Sequence, residues 1–145
     1  MESERGKKSR VSWPEATVGY AANAHGFGMA YVQVEDSGRS RLLRFPFFVR
    51  RRPCLDDREV GYEGLSSVVS GLYELRYKRV SFKLHDQRLI DDLREHRDVP
   101  APLSISYVRL GCALNGLSEY RLEKVNEPSD LTARARAEVN PHIAA

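Results

Sequence analysis

The sequence predicts an α/β domain: a mixed five-stranded sheet, three antiparallel strands followed by strand-helix alternation, with helices on both faces. Three observations carry this. Strand-like stretches follow one another without interruption from Thr17 to Arg50, helical and strand periods then alternate to the C-terminus, and the chain has the size of a single core. With 145 residues, 41% hydrophobic and 30% charged, it can bury most of its apolar surface once but not twice. The expected organisation is a charged arm over residues 1–15, one domain over 16–139 and a short tail over 140–145.

Residues 17–22 and 27–34 read as strands joined by the Asn23-Ala24-His25-Gly26 turn, and Asp36-Ser37-Gly38 supplies the next turn before a strand over 41–49. Pro46 has no N–H to give a ladder, which places that third strand at a sheet edge. Apolar residues then recur at Leu65, Val68, Val69, Leu72 and Leu75, the spacing of a helix with one buried stripe. Gly64, Gly71 and the serines between them suit a helix lying close on a sheet. Residues 80–84 alternate as a strand, and 87–97 return to a helical period through Leu89, Ile90 and Leu93. Pro100 and Pro102 stop that helix. Residues 103–115 fit either state by periodicity, while length and composition favour a helix closed at Asn115-Gly116. A last strand over 120–125 leads to a final helix beginning near Pro128, with Asn126 or Glu127 at its cap and Leu131, Ala135 and Val139 inward.

The net charge of +3 permits a polyanionic partner without demanding one. The basic residues are grouped: Arg39, Arg41 and Arg44 before an apolar run, Arg50, Arg51 and Arg52 after it, and Arg76, Lys78 and Arg79 between a helix and the next strand. Such groups either track phosphates or form a solvated rim. Cys54 and Cys112 lack any zinc-ligand spacing, and free thiols in a chain without a signal-peptide pattern point to the cytoplasm. No stretch approaches the roughly 20 apolar residues of a membrane helix. No phosphate-cradling glycine loop and no nucleophile elbow is present, and His25 and His142 fall in a turn and a tail.

Two segments carry a resemblance. Val80-Ser81-Phe82-Lys83-Leu84-His85-Asp86-Gln87-Arg88-Leu89 is similar to the fourth strand and following helix of the ribonuclease H-like superfamily, and Asn126-Glu127-Pro128-Ser129-Asp130-Leu131-Thr132-Ala133 resembles the opening of its last helix. The resemblance spans residues 16–139 and matches the element order. It implies two magnesium ions held between carboxylates from the first strand, first helix, fourth strand and last helix. Two hard cations roughly 4 Å apart need several oxygen ligands and much negative charge.

The carboxylates depart from that pattern. Residues 17–34 contain no Asp or Glu, so Tyr20, Ala21, Ala22 or Asn23 stands at the first-strand position, and only Asn23 offers a neutral oxygen. The first-helix position falls on Gly64, with Glu63 one residue early and rotated by about 100°. His85 takes the fourth-strand position, with Asp86 beside it. Asp130 alone falls in register, as the one candidate metal ligand.

The resemblance and its departures together imply a catalytically degenerate domain that binds an RNA/DNA hybrid or RNA, or acts as an interaction module, with no cofactor. The alternative is a magnesium- or manganese-dependent nuclease with a rearranged site of Glu63, Asp86, Asp130 and His85. Nucleic acid is expected at Arg50, Arg51, Arg52, Arg76, Lys78 and Arg79. The third-strand edge, with Phe45 and Phe47 on one face and Phe48 on the other, is a candidate surface for a second copy or a protein partner.

Overall fold

The computed structural model describes residues 12–50, 56–95 and 99–140. Strands β1 (Glu15–Ala22), β2 (Phe27–Asp36) and β3 (Arg39–Phe48) form an antiparallel meander, and β4 (Arg79–Leu84) and β5 (Glu119–Lys124) add in parallel. The sheet order is β3-β2-β1-β4-β5. Between and after the strands come helices α1 (Asp57–Glu74), α2 (Gln87–Glu95), α3 (Ser104–Asn115) and α4 (Ser129–Val139), with a short 3-10 turn at Ala101–Leu103. This is the mixed five-stranded α/β architecture that the sequence predicts.

Neighbouring residues on β1 show how the layers are arranged. Tyr20 faces α1, since a Cβ added at Gly61 or Gly64 would meet its ring, whereas a Cβ at Gly19 would strike Leu131 and Thr132 of α4. Adjacent strand residues point to opposite faces, so α1 and α4 lie on opposite sides of the sheet. Tyr31, paired with Gly19 in register, accordingly donates to Glu138 of α4 at 2.7 Å. Phe82, Leu65, Leu72, Leu84 and Ile90 are buried in the core between the sheet and the helices on the α1 side.

The third strand is an edge strand, as Pro46 requires, and its phenylalanines split by parity. Phe47 is buried and Phe45 packs against the core, whereas Phe48 remains 72% exposed beside Phe27. Gly71 exists for this packing: an added Cβ would lie 2.1 Å from the Phe45 ring.

Several boundaries differ from the sequence reading, each for a local reason. Helix α1 starts at Asp57, because the Asp56 carboxylate accepts the Arg58 N–H at 2.9 Å and caps it, with Asp57 and Glu59 in the first turn. Helix α3 does end at Asn115, but Gly116 adopts φ −72°, so no left-handed cap is used. Helix α4 starts at Ser129 with Pro128 at the cap position, not Asn126 or Glu127, and no side chain caps it. Leu131, Ala135 and Val139 are buried, as their spacing predicts. Residues 96–98 and the predicted helix end at Arg97 lie outside the described residues. Among the described residues no helix is long and apolar enough to cross a membrane.

Candidate functional site

A cleft of about 600 Å³ opens where the C-terminal ends of β1 and β4 lie side by side, lined among others by Tyr20, His85, Asp86, Lys124, Thr132 and Arg136. Each of the elements named in the sequence comparison reaches it. Asp57, Asp86 and Glu127 also line it, but none of them stands at a position where the resemblance implies a metal-binding carboxylate.

From β1 comes Tyr20. Its ring lies over the two glycines of α1: a Cβ at Gly61 would stand 3.1 Å from its Oη, and one at Gly64 3.3 Å from its Cγ. The ring also meets His85, with centroids 5.5 Å apart. Burial above all, and then the carboxylates of Asp86, Asp57 and Glu127, push the phenol well above the usual tyrosine range, so it stays protonated and neutral. Asn23 is spent on the β1–β2 turn. Its Oδ1 accepts the His25 and Phe27 N–H groups at 2.9 and 3.1 Å, and its Nδ2 donates to the Val139 carbonyl at 2.9 Å.

On α1, Gly64 packs against Tyr20 and also approaches Phe47, where an added Cβ would sit at 3.4 Å. Glu63 points elsewhere. It is buried against α3, accepting from Ser106 Oγ and paired with Arg109, each at 2.5 Å. The one-residue offset seen in the sequence is therefore a real change of direction around the helix.

Strand β4 ends at Leu84, so His85 and Asp86 follow the strand and both line the cleft. His85 Nδ1 is buried and has no hydrogen-bond partner among the described residues. Asp86 caps α2, accepting the N–H groups of Arg88 at 3.0 Å and Leu89 at 3.3 Å. Asp130 is exposed in the first turn of α4 and borders a separate shallow hollow with Thr17 and Gln33. Two residues on, about 200° around the helix, Thr132 lines the cleft together with Arg136 a turn further along. Of Glu63, His85, Asp86 and Asp130, the fold brings together only His85 and Asp86.

Among the described residues no three His, Cys, Asp or Glu side chains are grouped closely enough to hold a metal ion. A two-metal centre needs several oxygen ligands. The cleft offers a neutral phenol, a histidine and three carboxylates, Asp57, Asp86 and Glu127, of which Asp86 is engaged in capping, and these are too dispersed to form such a centre.

The basic groups separate. Arg50 is exposed just beyond β3 and next to Val49, whose N–H donates to the Gly26 carbonyl in the β1–β2 turn. Arg51 and Arg52 lie outside the described residues. Arg76, Lys78 and Arg79 surround a shallow hollow at the start of β4, the length of a six-residue strand, about 20 Å, from the cleft. Arg79 is paired with Glu119 at 3.0 Å.

No family model matches the sequence, and no curated protein matches it. Solved structures do match over almost their full lengths. Ribonuclease H1 from the halophilic archaeon Halobacterium salinarum NRC-1 superposes with a TM-score of 0.68 at 15% identity, covering 92% of this chain and 98% of that one. The N-terminal RNase H domain of Rv2228c from Mycobacterium tuberculosis gives 0.69 at 13% identity, covering 91% and 99%. LC11-RNase H1, solved in complex with an RNA/DNA hybrid, gives 0.61 at 9% identity with 91% and 99% covered. The chain has the ribonuclease H-like fold.

Sequence reasoning about this ribonuclease H-like domain does not single out Lys124, Thr132 or Arg136, since they are not ligand types at family positions. One signal for Tyr20 is legible: Gly61 and Gly64, three apart on one helix face, require a bulky neighbour. The buried Asp92 is also missed. It accepts from Tyr62 Oη at 2.6 Å and Arg58 at 3.0 Å and ties α2 to α1, away from the cleft.

Proposed function

We propose that this chain is a catalytically silent ribonuclease H-like domain that binds nucleic acid, an RNA/DNA hybrid or RNA, without a metal cofactor and without cutting it. The observation that carries the reading is the occupancy of the four positions where the family resemblance implies carboxylates. They hold Tyr20, Gly64, His85 and a last helix that turns Thr132 to the cleft while Asp130 faces solvent. The cleft holds Lys124 and Arg136 but lacks the grouped oxygen ligands that a two-metal in-line attack on a phosphodiester needs. The nucleic-acid half rests on the fold, on the hybrid in the LC11-RNase H1 complex and on exposed basic groups at Arg76 and Lys78.

The test is fluorescence anisotropy of a labelled hybrid duplex across a salt series. Binding whose log affinity falls linearly with log salt supports the reading. Absence of binding to hybrid, duplex and single-stranded probes overturns it.

A second reading has its own observation: Leu42 and Phe48 are exposed on the edge strand β3, an apolar edge that fits a second copy or a protein partner. Sedimentation at high concentration that shows only monomer removes the homodimer. The exposed free thiol of Cys112 fits a reducing compartment, and we place the domain in the cytoplasm.

A further inference from the structure

We propose that the phosphate-contacting surface of this domain is not the cleft but the opposite end of the sheet, where Arg39, Arg41, Arg76 and Lys78 meet. This rests on the nucleic-acid reading above and assigns it a place. Two segments far apart in sequence build the surface: the first residues of β3 and the turn between α1 and β4. They are joined by a hydrogen bond from Arg41 Nη1 to Tyr77 Oη at 3.2 Å, so the half-buried tyrosine fixes the arginine between its own two cationic neighbours in sequence. A hollow of about 410 Å³ lies beneath, lined by Pro14, Asp36, Arg76, Lys78, Arg79 and Ser118.

Three features mark this place. Arg39, Arg41, Arg76 and Lys78 are exposed and none forms an ion pair among the described residues; Arg50, Arg88, Lys124 and Arg134 share that state, so what marks this place is that two segments joined by the Arg41–Tyr77 bond bring four such cations together. Glu35, Asp36 and Glu74 share this end, so the surface is mixed in sign. Arg39 and Arg41 stand two residues apart on one strand face, about 7 Å, a spacing suited to successive phosphates.

The third feature is Arg76 itself. It has φ +76°, and the bonds Tyr77 N–H to Leu72 O at 3.0 Å and Arg76 N–H to Tyr73 O at 2.9 Å make it the left-handed residue that closes α1. Glycine is the usual occupant of that position, because an L side chain is strained there. An arginine held in an unfavourable backbone state, exposed and without a partner carboxylate, has a use other than stability. A basic side chain aimed at a polyanion is that use.

The test compares Arg76→Gly, Lys78→Gln and Arg39→Gln/Arg41→Gln with Arg50→Gln and Lys124→Gln in the full chain, by thermal melting and by anisotropy with a labelled RNA/DNA hybrid. Arg76→Gly is expected to raise Tm by about 2–4 °C while weakening hybrid binding about fivefold and lowering the salt slope by about 1. Lys78→Gln and the β3 pair are expected to weaken binding likewise at unchanged Tm, and Arg50→Gln and Lys124→Gln to leave it within about twofold of the parent. Loss confined to Arg50→Gln and Lys124→Gln, or binding unchanged by Arg76→Gly, overturns the placement while leaving nucleic-acid binding intact. Polyglutamate competing as well as the hybrid overturns the choice of a nucleic acid as occupant. If the parent protein binds no nucleic acid, the underlying functional reading fails instead.

Discussion

Tyr20 of β1 and Gly64 of α1 are packed so that a Cβ on residue 64 would sit 3.3 Å from the Tyr20 Cγ. An aromatic ring and a bare backbone thus meet where the family resemblance implies two carboxylates. A longer side chain at 64 needs the space that the Tyr20 ring occupies. Gly64→Glu is expected to destabilise the fold by about 3 kcal/mol, from overpacking and from carboxylate desolvation. In a Tyr20→Ala background the same change is expected to cost at least about 1 kcal/mol less. Urea denaturation of the four-member cycle measures both numbers.

Tyr62 donates to a carboxylate on Asp92 that is 1% exposed. Removing one donor from a buried ion leaves it under-solvated. Tyr62→Phe is expected to lower unfolding free energy by about 2 kcal/mol, read from the shift in urea midpoint at constant slope, and to leave nucleic-acid affinity unchanged.

Burial raises the Tyr20 phenol above its ordinary range, which makes the fold sensitive to alkali. As pH climbs past about 10, the unfolded tyrosine ionises while the folded one keeps its proton, so the unfolded state binds fewer protons and stability falls. The contribution is complete below that pH and is lost through the alkaline range. Tyr20→Phe is expected to flatten the decline by at most about 1.4 kcal/mol per pH unit, measured as unfolding free energy between neutral and strongly alkaline buffer. An unchanged slope would show that Tyr20 is not held neutral by the fold.

Glu63 is bonded to Ser106 and Arg109 on α3, so its role is to hold two helices. Glu63→Gln is expected to cost about 1 kcal/mol of stability and to leave hybrid binding and its metal dependence untouched. A metal-dependent change in binding on this substitution would return Glu63 to the cleft.

The fold was legible because its signals are local and repeated. Pro46 marks an edge strand, the apolar stripe from Leu65 to Leu72 marks a helix on a sheet, and the parity of Phe45, Phe47 and Phe48 divides core from solvent. The site was less legible because it depends on direction around an element. Asp130 matches a family motif in sequence, yet α4 starts at Ser129 and presents Thr132 to the cleft. Two residues of helix are worth over half a turn. Asp86 is next to His85 in sequence and beside it in space, but its carboxylate is taken by the start of α2, a capping role that its place before Gln87 would have suggested. The separation of Arg50 from Arg76 and Lys78 follows from β4 running the length of the sheet, which no list of basic residues reveals.

The central claim is a ribonuclease H-like fold without the nuclease chemistry. The direct measurement is a denaturing gel of an RNA/DNA hybrid labelled on the RNA strand, incubated with excess protein in magnesium and in manganese. The account predicts intact RNA in both metals at concentrations where the hybrid is bound. Metal-dependent cleavage by the parent protein that disappears in Asp86→Asn would contradict it.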